Sequence, residues 1–316
     1  MKSVLIVSYS QSGQLADIVA TLTQPLETGG GVRVHHEVLR PDPAFPFPWP
    51  FFAFLDVFPE SVRRDPRPNK PLTLAPDAEF NLVILAWSVW YLSPAQPMTA
   101  FLQSAEGRRL IGGRPVVSVV ACRNMWLSAF DTLKTLVAEA GGHLVDHVAF
   151  TDEASALATF ITTPRWMLTG RRDRFFGLPP AGVDARQTAG AARFGVALAD
   201  ALARDGEKSG QPMLGGLRAV KVASHLVLSE RAGQRVFRAW SGLIRRCGRA
   251  GQRRRIPALA LFALYLVVVI LIVVPLHLAL QRLAAPWLLR RIAERVRHYE
   301  QPSGADDARM TTYDHE

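Results

Sequence analysis

The chain has 316 residues and a net charge of +10. This length predicts either two domains or one domain with appendages, and its two cysteines are too few for a disulfide framework. The positive charge lies in the C-terminal third, because residues 206–316 hold 18 basic and 8 acidic side chains. These basic residues flank an apolar segment instead of covering a folded face, so the composition argues against a nucleic-acid-binding protein and favours a membrane-associated one.

The first predicted strand, residues 4–7, leads into a turn rich in hydroxyl groups and then into a helical pattern. Backbone N–H groups and the helix dipole at such a turn favour a phosphate group. The turn lacks the glycines of a dinucleotide-binding fingerprint and the lysine of a P-loop. Its spacing resembles the FMN-phosphate loop of flavodoxins, with Leu15 where those loops usually have another hydroxyl. The resemblance implies that FMN is bound by five consecutive residues, Ser10, Gln11, Ser12, Gly13 and Gln14. An ordinary turn with surface serines is the alternative.

Four more strands are predicted from mostly apolar runs, at residues 32–39, 81–87, 115–122 and 144–150. Helical patterns separate them, at residues 98–104 and 127–140, and a further one follows at 188–203. The alternation predicts an α/β fold, a flavodoxin-like doubly wound five-stranded parallel sheet within residues 1–205. Ligands of such a sheet bind at the carboxyl ends of the strands, beside the topological switch point.

The loops after the third and fourth strands emerge at the same edge of the sheet as the phosphate turn. Trp90 and Tyr91 in the first loop, and Asn124 and Trp126 in the second, are therefore predicted to contact the isoalloxazine ring of FMN. These aromatic side chains could instead close the top of the sheet. Cys122 is interpreted as a small core residue, and the spacing of the histidines does not indicate a metal site.

Two insertions extend the predicted domain. Residues 41–73 contain a run of alternating aromatic residues and prolines, and we expect the prolines to prevent regular structure. The aromatic side chains must pack on something apolar, which could be the domain, a lipophilic substrate or the bilayer. Residues 162–184 mix aromatic side chains with arginines, a composition typical of a membrane surface or a contact with an acidic carrier protein. Both insertions could equally be structural lids.

The apolar segment 256–280 contains no Asp, Glu, Lys or Arg and is long enough to cross a membrane. It predicts a C-terminal transmembrane helix, preceded by a partly helical basic linker at 206–255 and followed by a basic helix and polar tail at 281–316. The denser arginine cluster lies upstream, so we expect a single pass through the inner membrane with the soluble domain facing the cytoplasm. A re-entrant hairpin and a buried helix of a soluble domain are the alternatives.

The phosphate turn, the proline-aromatic run and the sequence Asp-Val-Phe-Pro-Glu-Ser at 56–61 together resemble the dialkylresorcinol condensing enzymes of bacterial dialkylresorcinol and aryl polyene biosynthesis. The resemblance implies a lipophilic small-molecule substrate, with a ketosynthase or an acyl carrier protein as candidate partner. Because FMN accepts a hydride equivalent, we expect oxidative aromatisation of a dialkylcyclohexanedione to a dialkylresorcinol.

Three residues are candidates for the proton chemistry of this reaction. Asp56 and Glu60 are the candidate bases, and Tyr91 is a candidate donor to a carbonyl oxygen. Surface carboxylates without a catalytic role are the alternative for the first two. An NAD(P)H-dependent quinone reductase and a membrane-tethered electron carrier are the other functions that the sequence allows.

Overall fold

A computed structural model describes residues 1–273, 276 and 292–310, so the end of the predicted anchor and the first arginines after it lie outside the described residues. Five parallel strands form one sheet, namely β1 (Lys2–Ser8), β2 (Val32–Val38), β3 (Leu82–Trp87), β4 (Pro115–Cys122) and β5 (His143–Thr151). Their order across the sheet is β2-β1-β3-β4-β5. This is the strand order of the flavodoxin-like doubly wound fold, so the predicted fold class and the five predicted strands are confirmed.

Helices cover both faces of the sheet. The α-helices are α1 (Gln14–Thr28), α2 (Phe51–Asp56), α3 (Phe58–Arg63), α4 (Gln96–Gln103), α5 (Ala105–Ile111), α6 (Leu127–Glu139), α7 (Ala156–Thr169), α8 (Ala185–Ala189), α9 (Ala192–Ala203), α10 (Val227–Arg246) and α11 (Ile256–Val268). Helix α1 packs against α9, whereas α4 packs against α6. Right-handed connections in opposite directions place these two pairs on opposite faces. Strand β3 is buried along its whole length, which explains its continuous apolar sequence.

The switch point of the sheet lies between β1 and β3. The chain leaves β1 towards β2 and later returns to the other side of β1 as β3. At such a point the connections diverge to opposite faces and leave a crevice at the carboxyl ends of the strands. The turn after β1 and the loops after β3 and β4 all start at this edge. The sheet therefore brings together the three loops that the sequence singled out.

The insertion 41–73 covers this edge and contains the short helices α2 and α3. The prediction that its prolines prevent regular structure is wrong. Pro50 stands directly before α2 and Pro59 lies in the first turn of α3, where a missing N–H removes no helical hydrogen bond. Trp49 and Phe58 pack inwards and are 4% and 0% exposed, whereas Phe51 and Phe52 are 48% and 41% exposed.

The basic segment 206–255 is part of the folded domain, so the predicted linker does not fit the structure. The buried carboxylate of Asp146 on β5 accepts the backbone N–H groups of Met213 and Leu214, at 2.8 and 3.1 Å. Helix α10 then packs against α3 and α6. The segment is partly helical, because it contains α10.

The residues after the apolar segment also pack on the domain. Residues 292–300 are helical, and the hydroxyl of Tyr299 donates to a carboxylate on α6 at 2.7 Å. Ser303 donates to Asp146 and accepts the backbone N–H of His147, both at 2.7 Å. The described residues on both sides of the apolar segment thus contact one domain. A single crossing would separate them, so the predicted single pass does not fit this packing.

The stretch Arg253–Ile272 is long and apolar enough to span a membrane, judged by length and composition alone. It includes α11 and all but the last residue of a π-helical turn, Val269–Val273. One side of α11 meets the domain, where Phe262 is fully buried and stacks on Phe58 with ring centroids 4.1 Å apart. The other side of α11 and of the π-helical turn exposes large apolar side chains, which are Leu261, Leu264, Val267, Val268, Leu271 and Ile272.

We expect both flanks of the apolar segment to lie on one side of a membrane, because both are packed on the same domain. In a background with both native cysteines changed to alanine, the variants Ala250→Cys and Ala308→Cys place single thiols at exposed positions of the two flanks. A membrane-impermeant maleimide should label both in the same orientation of membrane vesicles. Labelling of the two in opposite orientations would instead support the single pass.

Candidate functional site

A cavity of about 680 Å³ lies at the carboxyl edge of the sheet. Its walls come from the three loops, the insertion 41–73 and the helices α7, α10 and α11. Most of the lining side chains are apolar, and the volume lies in the range of small-molecule sites, roughly 300–1,000 Å³. The lining includes Ser12 in the phosphate turn and Ile270 after α11. One continuous space therefore connects the predicted phosphate site with the apolar helix.

The turn between β1 and α1 has the geometry of an anion site. Gly13 has a φ of +88° and stands directly before the first helical residue, a conformation that favours glycine. The hydroxyl oxygen of Ser10 accepts the N–H of Ala16 at 3.3 Å. The backbone N–H groups of residues 11–15 have no acceptor within the described part of the chain. Together with the dipole of α1, these N–H groups can bind a phosphate.

Two glutamine side chains hold this turn in place. The side-chain amide of Gln14 is buried and makes two hydrogen bonds with the backbone of Val183, at 2.8 and 3.1 Å. The side chain of Gln11 accepts the Tyr9 hydroxyl and donates to the carbonyl oxygen of Pro46 at 2.7 Å. Because both side chains are engaged, only the backbone N–H groups of these two residues are available for the predicted phosphate binding.

The aromatic residues Trp90 and Tyr91 both line the cavity. Trp90 makes edge-to-face contacts with Phe45 and Trp49, at centroid distances of 5.0 and 5.6 Å. The Tyr91 hydroxyl donates to the carbonyl oxygen of Phe54 at 2.6 Å, and burial raises the pKa of Tyr91 well above its ordinary value. The tyrosine proton is therefore engaged, which does not fit the predicted donation to a substrate carbonyl.

Backbone strain is concentrated in two loops of the cavity. Tyr91, Leu92 and Met125 have φ values of +52°, +59° and +55°, and all three line the cavity. A left-handed backbone at a residue other than glycine costs on the order of 1–3 kcal/mol and persists only where the surrounding structure imposes it. Such strain clusters at ligand sites, so its position supports a binding role for these loops.

Three polar groups on the apolar wall lack a partner that satisfies them. The hydroxyl oxygens of Ser88 and Thr163 are buried and have no hydrogen-bond partner among the described residues. The half-buried guanidinium of Arg123 lies over the ring of Phe160 at 4.1 Å and donates to the sulfur of Met125 at 3.7 Å, and it forms no ion pair with a carboxylate among the described residues. Burial lowers the pKa of Arg123 to about 10. Because buried polar groups are normally satisfied, these three indicate a ligand with polar atoms.

Sequence reasoning missed all three of these residues. Ser88 and Arg123 directly follow β3 and β4, so their position at the carboxyl edge is a signal that could have found them. Thr163 lies on α7, in a segment that the sequence analysis interpreted as an insertion. No group of three or more His, Cys, Asp or Glu side chains in the described residues could hold a metal ion.

Several predicted positions near the second loop have other roles. Trp126 is 1% exposed and packs against Phe130 at a centroid distance of 5.7 Å, so it belongs to the core and does not line the cavity. Asn124 lines the cavity, but its side-chain oxygen accepts the N–H of Met125 at 2.9 Å. Cys122 also lines the cavity, and burial raises the pKa of its thiol far above the ordinary value. The thiol therefore stays protonated.

Helix α10 is fixed to the second loop by a buried carboxylate. Glu230 is 1% exposed and accepts the backbone N–H of Ser128 at the start of α6. Burial raises the pKa of Glu230 to about 7. This contact holds the α10 wall of the cavity against the helix that follows Arg123 and Asn124.

The predicted bases Asp56 and Glu60 do not line this cavity. Arg255 is 1% exposed and donates to Asp56 at 3.0 Å and to the two oxygens of Glu60 at 3.1 and 2.7 Å. All three residues border a second, more polar cavity of about 590 Å³. The carboxylates therefore anchor the start of the apolar helix, and a role as catalytic base does not fit their position.

No protein-family model matches the chain, and a search of curated proteins finds no match. Solved structures with a similar fold include a flavoprotein from Lactobacillus acidophilus in complex with FMN, at 13% identity and a TM-score of 0.39, covering 47% of this chain and 93% of that chain. A flavodoxin from Fusobacterium nucleatum bound to flavin mononucleotide is 14% identical with a TM-score of 0.27, covering 48% and 72%. These likenesses concern the fold alone.

We expect Glu60→Gln to weaken the attachment of the apolar helix. Breaking a buried ion pair costs about 3–5 kcal/mol, and Asp56 still partners Arg255, so the full-length protein in detergent should lose about 2 kcal/mol of unfolding free energy. Urea unfolding followed by circular dichroism measures the loss. The exposed Glu79→Gln is the matched control and should change stability by less than about 0.5 kcal/mol. Full stability of Glu60→Gln would contradict the anchoring role.

Proposed function

We propose that this chain is a membrane-associated FMN-dependent enzyme, with the phosphate of FMN at the turn after β1 and the ring system in the adjoining cavity. The observation that carries the proposal is the cavity itself, which lies at the switch point of the sheet, where ligands of this fold bind. The residues present fit the cofactor. The N–H groups of the turn and the hydroxyls of Ser10 and Ser12 suit a phosphate, and Trp90 offers an aromatic surface to a flat ring.

The walls of the cavity favour an enzyme over a simple electron carrier. A carrier exchanges electrons through an exposed edge of its cofactor, and it has no use for a deep apolar space beside the ring. Here α7, α10, α11 and the aromatic insertion enclose that space. Such walls exclude water and hold an apolar substrate next to the cofactor.

We further propose that the reaction is the oxidative aromatisation of a dialkylcyclohexanedione. FMN would supply acceptance of a hydride. The acidic proton between the two carbonyl groups of the dione would pass to water as the enolate forms, and the enolate would become the resorcinol when it loses the hydride. Arg123 would hold the enolate oxygen of the dione, because a desolvated guanidinium stabilises a negative oxygen far more than one in water does. Ser88 and Thr163 have free hydroxyls for a second oxygen of the substrate or for the cofactor.

We also propose that the protein resides at the inner membrane with its domain on the cytoplasmic side, and that the apolar segment enters the membrane as a hairpin. The three arginines 253–255 directly before α11 support this orientation, and the shared packing of both flanks supports the hairpin. A ketosynthase or an acyl carrier protein remains the proposed partner. The exposed side chains of Arg171, Arg174 and Phe176 would suit an acidic carrier surface.

Purified protein should bind FMN, and Ser12→Asp should weaken binding by at least about tenfold, because it places a negative charge at the phosphate site. Titration of FMN fluorescence measures the affinity. Ala20→Asp adds the same charge on the exposed side of α1, about 12 Å further along the helix. This control should bind FMN within about twofold of the parent. Equal affinities of Ser12→Asp and the parent would rule out the phosphate assignment.

Under anaerobic conditions the cyclic dione should bleach the bound flavin and yield an equal amount of resorcinol. Arg123→Met should slow the bleaching by about 100-fold, the usual effect of losing one donor to a developing oxyanion, and Arg123→Lys should restore part of the rate. The exposed Arg174→Met serves as control and should bleach at the parent rate. If the dione leaves the flavin oxidised while NAD(P)H bleaches it rapidly, the quinone-reductase function replaces this proposal.

A further inference from the structure

We infer that the cavity opens into a lipid leaflet between α7, α10 and the apolar helix, so that a substrate with long alkyl chains enters from the membrane and not from water. The identity of the reacting head group rests on the proposed function. The position of the opening rests on the described helices alone.

The two sides of the apolar helix have different surroundings. Tyr265, Leu266, Val269 and Ile270 line the cavity, and they follow one another at the spacing of a single helix face. The opposite face, with Leu271 at 67% exposure, is open and apolar. The helix thus lies between the cavity and the surroundings of its outer face. An apolar face of this length is suited to hydrocarbon.

Exposed lining residues locate the mouth of the cavity. Pro164 on α7 and Ala232 on α10 line the cavity and are themselves exposed. Ala232 belongs to a run of small or short side chains on α10 that line the cavity, with Ser229 and Gly233. Small side chains leave room for a chain to pass. The mouth therefore lies between α7 and α10, beside the residues of the π-helical turn, a feature that is frequent at functional sites.

The surroundings of this mouth match a lipid surface. Helix α7 exposes Leu157 and Ile161 at 63% and 51%, and α2 exposes Phe51 at 48%, although both helices also contribute to the cavity wall. Helix α10 carries the exposed arginines Arg231 and Arg235 near the mouth. Apolar side chains next to exposed arginines are typical of a helix at the headgroup boundary.

An opening into lipid also suits the energetics of a dialkylated substrate. The transfer of each methylene group from hydrocarbon into water is unfavourable in free energy. A path from bilayer to apolar cavity avoids this step, because the alkyl chains move between two apolar surroundings. Such a path also limits the entry of water into the site.

The test uses the full-length protein in vesicles of phosphatidylcholine and phosphatidylglycerol that contain an alkylresorcinol with a photoreactive diazirine at the chain end. After irradiation, mass spectrometry of peptides locates the adducts. We expect adducts on cavity residues such as Phe160 and Met167, whereas Ala232→Trp, which narrows the mouth, should reduce them by about tenfold. Ala239→Trp is the matched control, because Ala239 is exposed two turns further on the same helix and does not line the cavity. It should label as the parent does.

A second pair of variants keeps the test decisive if one protein misfolds. Ile270→Trp should block labelling of the cavity, and Leu271→Trp, on the outer face, should not. Labelling confined to the outer face of the apolar helix, or cavity adducts unchanged in both blocking variants, would overturn the inference. Because labelling needs no flavin, cavity adducts without dione-dependent bleaching would retain the opening and refute the aromatisation. If a membrane-borne dione bleaches the flavin and neither Ala232→Trp nor Ile270→Trp slows the bleaching, the aromatisation would be retained and the opening into lipid would be refuted.

Discussion

The buried ion cluster of Arg255 with Asp56 and Glu60 is the interaction on which the site depends. A guanidinium that is 1% exposed would be costly to bury alone, and two carboxylates compensate it. By fixing residue 255, the cluster fixes where the apolar helix begins and which of its faces meets the domain. Seven residues later, Phe262 stacks on Phe58, and two further turns of the helix reach the cavity. The position of Arg255 at the start of the apolar helix thus determines which side chains of that helix line the cavity.

This arrangement explains why a helix that is apolar on all sides still has two distinct faces. Its sequence does not favour one side, since leucine, valine and alanine are distributed around it. The aromatic side chains of the insertion and of α10 select the inner face through ring contacts, such as those of Trp240 with Phe262 and Tyr265 at 5.5 and 5.3 Å. The opposite face of the apolar helix has no such ring contacts among the described residues and is the one that would meet lipid.

The sequence predicted the sheet, its order of elements and the loops at its edge, because these depend on local patterns. Continuous apolar runs identify buried strands, and a strand that leads into a hydroxyl-rich turn identifies a turn with the geometry of an anion site. Contacts between distant segments had no such signal. Asp56 and Arg255 are 199 residues apart, so nothing near Asp56 showed that its carboxylate was already partnered.

The orientation of side chains within the loops was also beyond local patterns. Trp126 stands in the predicted flavin loop, yet the left-handed backbone at Met125 redirects the chain and places the indole in the core. The same loop presents Arg123 to the cavity instead. Periodicity can place a residue at the edge of a sheet, but it cannot tell which side of an irregular loop the residue faces.

The two additions to the sheet, the aromatic insertion and the C-terminal segment, form one structural unit. They are joined by the Arg255 cluster and by the ring contacts of Phe58 with Phe237 and Phe262. If either addition were absent, the aromatic surface of the other would be exposed to water. The cavity would also lose one of its walls. The sheet by itself would keep the turn between β1 and α1, although the turn would lose the hydrogen bond from the Gln11 side chain to the carbonyl oxygen of Pro46 in the insertion. The fold thus supplies the turn proposed to hold the cofactor phosphate, and the paired additions supply an apolar space beside it that extends to the apolar helix.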